Sequence, residues 1–272
     1  MAKLFWKHDV SEGWLKARKG VLTATDISKL IPELKRMEKK PGELSPGFAA
    51  VWAEKHSDMQ LDTGSVGAAA RGHIMEPWVV DAYNEHVAAG ERFNHWDDCV
   101  IVNDLVGFSP DAMSTWQTDL NIAKYTVDPK GDKLVAYVGG KPKVLAAPRR
   151  IMEIKCYEPA NHMKACITPR MDHKELIQVA TAFYVLPKLQ EAKLCFCCPG
   201  APIEMHVETY SREDLKEQID TITKVVEKYV ETAMRCNGMS REWSVSFTED
   251  DVYNQYMQEQ IEAEGHGIYS FK

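Results

Sequence analysis

The sequence predicts an α/β fold, with a central mixed β-sheet flanked by helices. Three observations carry this prediction. Helical apolar periodicity recurs at 66–89, 173–186 and 211–236. Short strand-like runs at 99–108, 150–156 and 192–209 fall between those helices, and no internal repeat or low-complexity tract breaks the alternation. The chain has 272 residues, 44% hydrophobic and 27% charged, which is enough to close a substantial core.

The elements follow in order. Residues 11–31 read as helical, with Ser11 able to cap and Trp14, Ala17, Leu22, Ile27, Leu30 and Ile31 apolar. Gly20 interrupts this stretch, and Thr23 caps a second helix with Asp26 in its first turn. Residues 32–47 hold Pro32, Pro41, Gly42, Pro46 and Gly47 and are expected to form a loop. Helices are expected at 48–56 and 66–89. The second places Ile74, Trp78, Val79, Ala82 and Tyr83 on one stripe, with Glu76 off its centre.

Strands are expected at 99–102 and 105–108 around Asn103-Asp104, and again at 150–156. An insert at about 117–148 separates them. Its turn signals, Asp128-Pro129-Lys130-Gly131-Asp132 and Gly139-Gly140-Lys141-Pro142, bracket Val135-Ala136-Tyr137-Val138 and predict a hairpin. Paired strands at 192–198 and 203–209 turn around Pro199-Gly200. Ser211 and Asp214 open a long helix to about Cys236, with Leu215, Ile219, Ile222, Val226 and Val230 on one face. The domain reading is a single unit over 1–238 and an acidic extension over 239–272.

Several classes are excluded. No run of 18 apolar residues exists, so no membrane span is expected. The N-terminus lacks an apolar leader core, so a cytoplasmic location (a bacterial host cell, on the resemblance below) is expected. Seven cysteines fit reduced thiols, and Cys195, Cys197 and Cys198 read as a buried strand rather than an iron–sulfur fragment. The net charge of −7 is unevenly spread: residues 1–50 carry ten basic and six acidic side chains, residues 201–272 seven and fifteen. Lys16, Arg18, Lys19, Lys35, Arg36, Lys39 and Lys40 therefore leave room for a phosphate-bearing partner.

The chemistry concentrates in Met152-Glu153-Ile154-Lys155-Cys156. Two positions apart on a strand, Glu153 and Lys155 share a face. Gly107-Phe108-Ser109-Pro110-Asp111-Ala112 supplies a second acid at a turn. Asp followed by Glu-x-Lys is the minimal set for holding a divalent metal beside a water to be activated. A bare Glu-x-Lys is common on exposed edge strands, so three further features add weight. These are Gly72-His73-Ile74-Met75-Glu76, Gln178 in Leu176-Ile177-Gln178-Val179-Ala180, and the stretch from Trp14 to Asp26. His73, His162 and His173 are not spaced as a metal set and read as non-ligands.

Taken in order, Trp14-x-x-x-Arg18-x-Gly20-x-x-Thr23-Ala24-Thr25-Asp26, Gly72-x-x-x-Glu76, Gly107-x-Ser109-Pro110-Asp111, Glu153-Ile154-Lys155-Cys156 and Gln178-Val179 resemble a known family. It is that of the phage-type alkaline exonucleases, the lambda exonuclease and YqaJ-like viral recombinase group of the PD-(D/E)XK nuclease superfamily. The resemblance spans residues from about 11 to 186. It implies a restriction-endonuclease-like core and a Mg²⁺-dependent exonuclease, with Mn²⁺ able to substitute. Such an enzyme digests one strand of duplex DNA from a 5′ end. A ring-shaped homotrimer and a phage single-strand annealing protein are the implied partners.

On that resemblance Asp111 and Glu153 are the metal carboxylates, and the Ile154 carbonyl is a further oxygen ligand. Glu76 helps hold a metal, directly or through water. Lys155 orients or deprotonates the attacking water, and Gln178 positions Lys155 or that water. Arg18 grips the 5′ phosphate through its guanidinium fork, and Thr23 or Thr25 adds a hydroxyl. Two departures stand out. Asp111 and Glu153 are 42 positions apart, longer than the tight hairpin of the simplest members. Ala180 also stands where the family pattern has a second glutamine. An endonuclease on the same core and a non-catalytic DNA-end-binding protein are the rival readings.

Overall fold

In the computed structural model, which describes residues 17–39, 43–56, 68–96, 99–115, 122–167 and 174–242, the chain turns at Gly20 before its first helix. Gly20 takes φ +72°, a conformation glycine adopts at no steric cost. Leu22 then bridges Val106 in parallel. Helix α1 (Ala24–Glu38) begins with Thr23 as N-cap. Asp26 Oδ2 accepts hydrogen bonds from the Thr23 N–H at 2.8 Å and from its hydroxyl at 2.7 Å. Ser11, Trp14 and Lys16 lie outside the described residues.

The helix continues through Pro32 to Glu38, where the sequence predicts a loop. An interior proline costs about 3 kcal/mol. Leu30 and Met37 are buried and Leu34 packs on the same core. Their burial, at about 1.5–3 kcal/mol for a fully buried side chain, offsets that cost. Helices α2 (Pro46–His56) and α3 (Ala68–Glu85) follow.

The stripe expected on α3 is rotated. Val79 and Val80 are buried against the sheet, whereas Ile74 and Trp78 are 45% and 73% exposed. That rotation turns Glu76 inward, to 9% exposure.

The strands are β1 (Asn94–His95), β2 (Val100–Asn103), β3 (Val106–Phe108), β4 (Ala112–Met113), β5 (Lys124–Val127), β6 (Lys133–Val138), β7 (Lys141–Ala146), β8 (Arg150–Cys156), β9 (Glu191–Cys197) and β10 (Met205–Tyr210). Helices α4 (Pro159–Ile167) and α5 (Lys174–Val185) separate β8 from β9, and α6 (Lys216–Glu242) ends the described chain. One central sheet was the expectation; the strands form two, ordered β1-β4-β8-β9-β10 and β3-β2-β5-β6-β7. Both are mixed: β8 and β9 run parallel in the first, β2 and β5 in the second.

The insert explains the second sheet. Its predicted hairpin exists, with β6 and β7 antiparallel around Gly139 and Gly140, both at positive φ. It is not a free-standing appendage, however, because β5 joins β2 and buries Tyr125 in the main core. Ser114 N–H donates to the Arg150 carbonyl at 3.0 Å and clasps the base of this excursion.

The main core joins Leu22, Ile27, Phe48, Phe183, Leu194 and Tyr229 from both sheets and four helices. Leu215 is buried just before α6, the buried line on the helix is Ile222, Val225, Tyr229 and Thr232, and the helix passes 238 without a break to Glu242. Cys195, Cys197 and Cys198 are buried free thiols, as packing residues should be. Among the described residues no helix is long and apolar enough to cross a membrane.

Gly107 marks a tight approach in β3. A Cβ there would lie 2.7 Å from Val21 Cγ1 and 3.1 Å from the Ile101 carbonyl oxygen. Gly107→Ala is expected to cost about 1–3 kcal/mol, read as a lower Tm in thermal unfolding.

Candidate active site

Strand register brings the two expected metal acids together. Ala112 lies opposite Met152, and Met113 opposite Ile151. Extending that register by one place sets Asp111 across from Glu153. Strand β4 starts only at Ala112, so at this point a side chain replaces the neighbouring strand: Asp111 Oδ2 accepts the Ile154 N–H at 2.6 Å. The N–H and C=O of one strand residue leave on the same side. The Ile154 carbonyl is therefore directed at the edge that Asp111 occupies, as a ligand carbonyl must be.

Glu153 is buried, and its Oε1 accepts a hydrogen bond from Lys155 Nζ at 2.5 Å. Burial alone would lower the Lys155 ammonium. Glu153 and Asp111 outweigh it and hold the group well above its ordinary value. Lys155 is thereby held as a cation in this arrangement. Burial, reinforced by Glu153 and Glu76, pushes the Asp111 carboxyl well above the usual carboxylate range, with Lys155 and the Ile154 N–H opposing.

Glu76 approaches from α3. Burial would raise its carboxyl, but His73 and His95 together hold it down at about 2. His73 Nδ1 stands 3.4 Å and His95 Nε2 3.9 Å from Glu76 Oε2. Neither histidine follows from the spacing argument. His73 is three residues before Glu76 on one helix, a signal present in Gly72-His73-Ile74-Met75-Glu76. His95 arrives through β1, which pairs His95 with Ala112 next to Asp111. His162 is buried, with its Nε2 2.6 Å from the Ile203 carbonyl oxygen, and His173 lies outside the described residues.

Gln178 is half-buried on α5, one turn from Glu175, which accepts a hydrogen bond from Tyr157 two residues beyond Lys155. That places Gln178 on the same side of the helix as this contact, though no hydrogen bond joins it to Lys155 among the described residues.

Arg18 is half-buried, and burial lowers its guanidinium while Asp26 opposes. Asp26 also pairs with Lys55 at 2.8 Å. Thr23 spends its hydroxyl on Asp26, so its observed role is helix cap; Thr25 is exposed on the first turn. Leu22 and β3 run parallel. The start of α1 and the turn carrying Asp111 consequently emerge at the same end of the sheet.

The donor chemistry fits a hard divalent cation. Asp111, Glu153 and Glu76 supply carboxylate oxygens and Ile154 a carbonyl. The crowding that raises Asp111 is the excess negative charge such an ion relieves. As the side chains stand, Glu153 is tied to Lys155, and no three His, Cys, Asp or Glu side chains among the described residues form a closed ligand set.

Two solved structures of an alkaline exonuclease from Laribacter hongkongensis share this fold. The first is 14% identical with a TM-score of 0.53, covering 86% of this chain and all of that one. The second, in complex with dAMP, is 15% identical with a TM-score of 0.50, covering 85% and 97%. No curated protein matches the chain in sequence. The YqaJ-like viral recombinase domain matches residues 13–185, a span that contains Arg18, Glu76, Asp111, Glu153, Lys155 and Gln178. The chain therefore belongs to the YqaJ-like viral recombinase domain family.

Proposed function

We propose that the protein is a metal-dependent exonuclease that degrades one strand of linear duplex DNA from its 5′ end. The product is a 3′ single-stranded tail for phage-type recombination. One observation carries the reading: Asp111, Glu153 and Lys155 converge on a single strand edge, with the Ile154 carbonyl directed at the same point. The structural likeness to an alkaline exonuclease, one form of which holds dAMP, supports a nucleotide-releasing activity. Mg²⁺ is the expected ion, with Mn²⁺ as substitute. A homotrimer around DNA and a single-strand annealing protein are the proposed partners.

Asp111 and Glu153 would hold the cation, which would supply Lewis-acid polarisation of the phosphate and lower the pKa of a water. The chain's own residues do the rest. With Glu153 engaged by a cation, the Lys155 ammonium would be available to orient water and steady charge on the phosphate oxygens. Glu76 would help to hold the cation from the α3 side. Arg18 engages the terminal phosphate, to which Thr25 adds a hydroxyl, and Gln178 positions Lys155 or the water.

Glu153→Gln is expected to lower digestion of end-labelled linear duplex by roughly 10²–10³-fold while leaving end binding intact. Circular duplex cut as readily as linear would point instead to an endonuclease. Wild type inert with every metal and pH would leave an end-binding protein.

Arg18→Ala is expected to remove a preference for 5′-phosphorylated ends, costing about 10–100-fold on those ends and little on 5′-hydroxyl ends.

A third outcome concerns Asp111. In the unfolded chain its carboxyl ionises near 3.9, and in the folded site only at higher pH. Above that range folding carries the cost of ionising it beside Glu153 and Glu76. In chelated protein at pH 8, Asp111→Asn is expected to raise Tm by about 2–4 °C. The gain should shrink as pH falls toward 4. Added Mn²⁺ should raise the Tm of wild type but not of the variant.

A further inference from the structure

His95 acts on Glu76 through charge without bonding to it. Its Nε2 is buried and makes no hydrogen bond. A buried polar atom without a partner costs roughly 1–3 kcal/mol, and native structures keep few of them. The ring is held by register, since His95 pairs with Ala112 in β1 and β4. The side chain of Ala112 packs with Val79 and Val80 of α3, the helix that carries Glu76. His95 and Glu76 thus meet on one side of the sheet, next to Asp111.

The separations are informative. His95 Nε2 is 3.9 Å and His73 Nδ1 3.4 Å from Glu76 Oε2. The His95 distance is too long for a hydrogen bond. Donors that share one ion at ~2.0–2.2 Å stand roughly 3–4 Å apart. Imidazole nitrogen and carboxylate oxygen arranged so are disposed as neighbouring ligands with the ion removed.

We propose that His95, through Nε2, ligates the divalent cation that Glu76 helps to hold, giving this centre a nitrogen donor and a preference for Mn²⁺ over Mg²⁺. The inference rests on the metal-dependent reading of the same site. Mg²⁺ favours an octahedron of oxygens and keeps its waters, so a nitrogen ligand contributes little to it. Mn²⁺ also favours oxygen, but as a first-row transition ion at the weak end of the Irving–Williams order it gains more from one imidazole than Mg²⁺ does.

The test is Mn²⁺ alone, titrated into the full chain and followed by electron paramagnetic resonance. Bound Mn²⁺ in wild type is expected to show spin-echo modulation from ¹⁴N, and histidine-specific ¹⁵N labelling should change that modulation. His95→Ala, and His95→Gln if the alanine variant unfolds, should abolish the coupling. Either should weaken Mn²⁺ binding about 10–100-fold, with little change for Mg²⁺. His73→Ala serves as the control for the second imidazole. Bound Mn²⁺ without nitrogen coupling, coupling indifferent to the label, or coupling kept in a folded His95 variant overturns the proposal while the nuclease reading stands. Wild type that binds no Mn²⁺ overturns both.

Discussion

Two rungs of antiparallel pairing, Ala112 on Met152 and Met113 on Ile151, hold the site in place. They set the carboxylate of Asp111 against the Ile154 N–H and opposite Glu153. They also carry β1, and so His95, on their outer side. Were the register to slip by one residue, every side chain of β4 would change face. Asp111 would then leave Glu153, and Ala112 and Met113 would exchange their two cores. The packing that protects this register is hydrophobic: Met113 and Ile151 lie in the main core, while Ala112 and Met152 lie under α3.

On this scaffold the charges are arranged in tension. Three carboxylates crowd one edge, and each is balanced differently: Asp111 by a backbone N–H, Glu153 by Lys155, and Glu76 by two histidines. The balance is incomplete at Asp111, whose carboxyl is held up by burial first and by its acidic neighbours second. A buried acid in that condition favours any partner that brings positive charge. The same arrangement keeps Lys155 charged, because the acids that need it also raise it.

Much of this was legible because the signals are local. Thr23 and Asp26 are three residues apart and cap a helix whose start the sequence places correctly. Glu153 and Lys155 need only the period of a strand to share a face. What failed to show depends on tertiary packing. Periodicity on α3 identifies apolar residues but not which of them meet the sheet, so it puts Ile74 and Trp78 on the buried stripe although both are exposed, and leaves Glu76 off-centre although it is buried. Pro32 reads as a breaker, yet the burial of Leu30 and Met37 carries the helix through it. His95 has no sequence neighbour in the site and enters only through a two-residue strand. The insert's turns were visible, but its parallel union with β2 links segments that no local pattern connects.

The clasp between Ser114 and Arg150 has an evolutionary corollary. Because both ends of the excursion are fastened side by side, its contour length enters neither the separation nor the aim of the acids. The β6–β7 hairpin can therefore lengthen or shorten at its Gly139-Gly140 tip without re-aiming the acids, whereas Tyr125 and Leu134 bind the root of the excursion to the main core. Change at the tip and constancy at the root are thereby separated within one continuous stretch of chain.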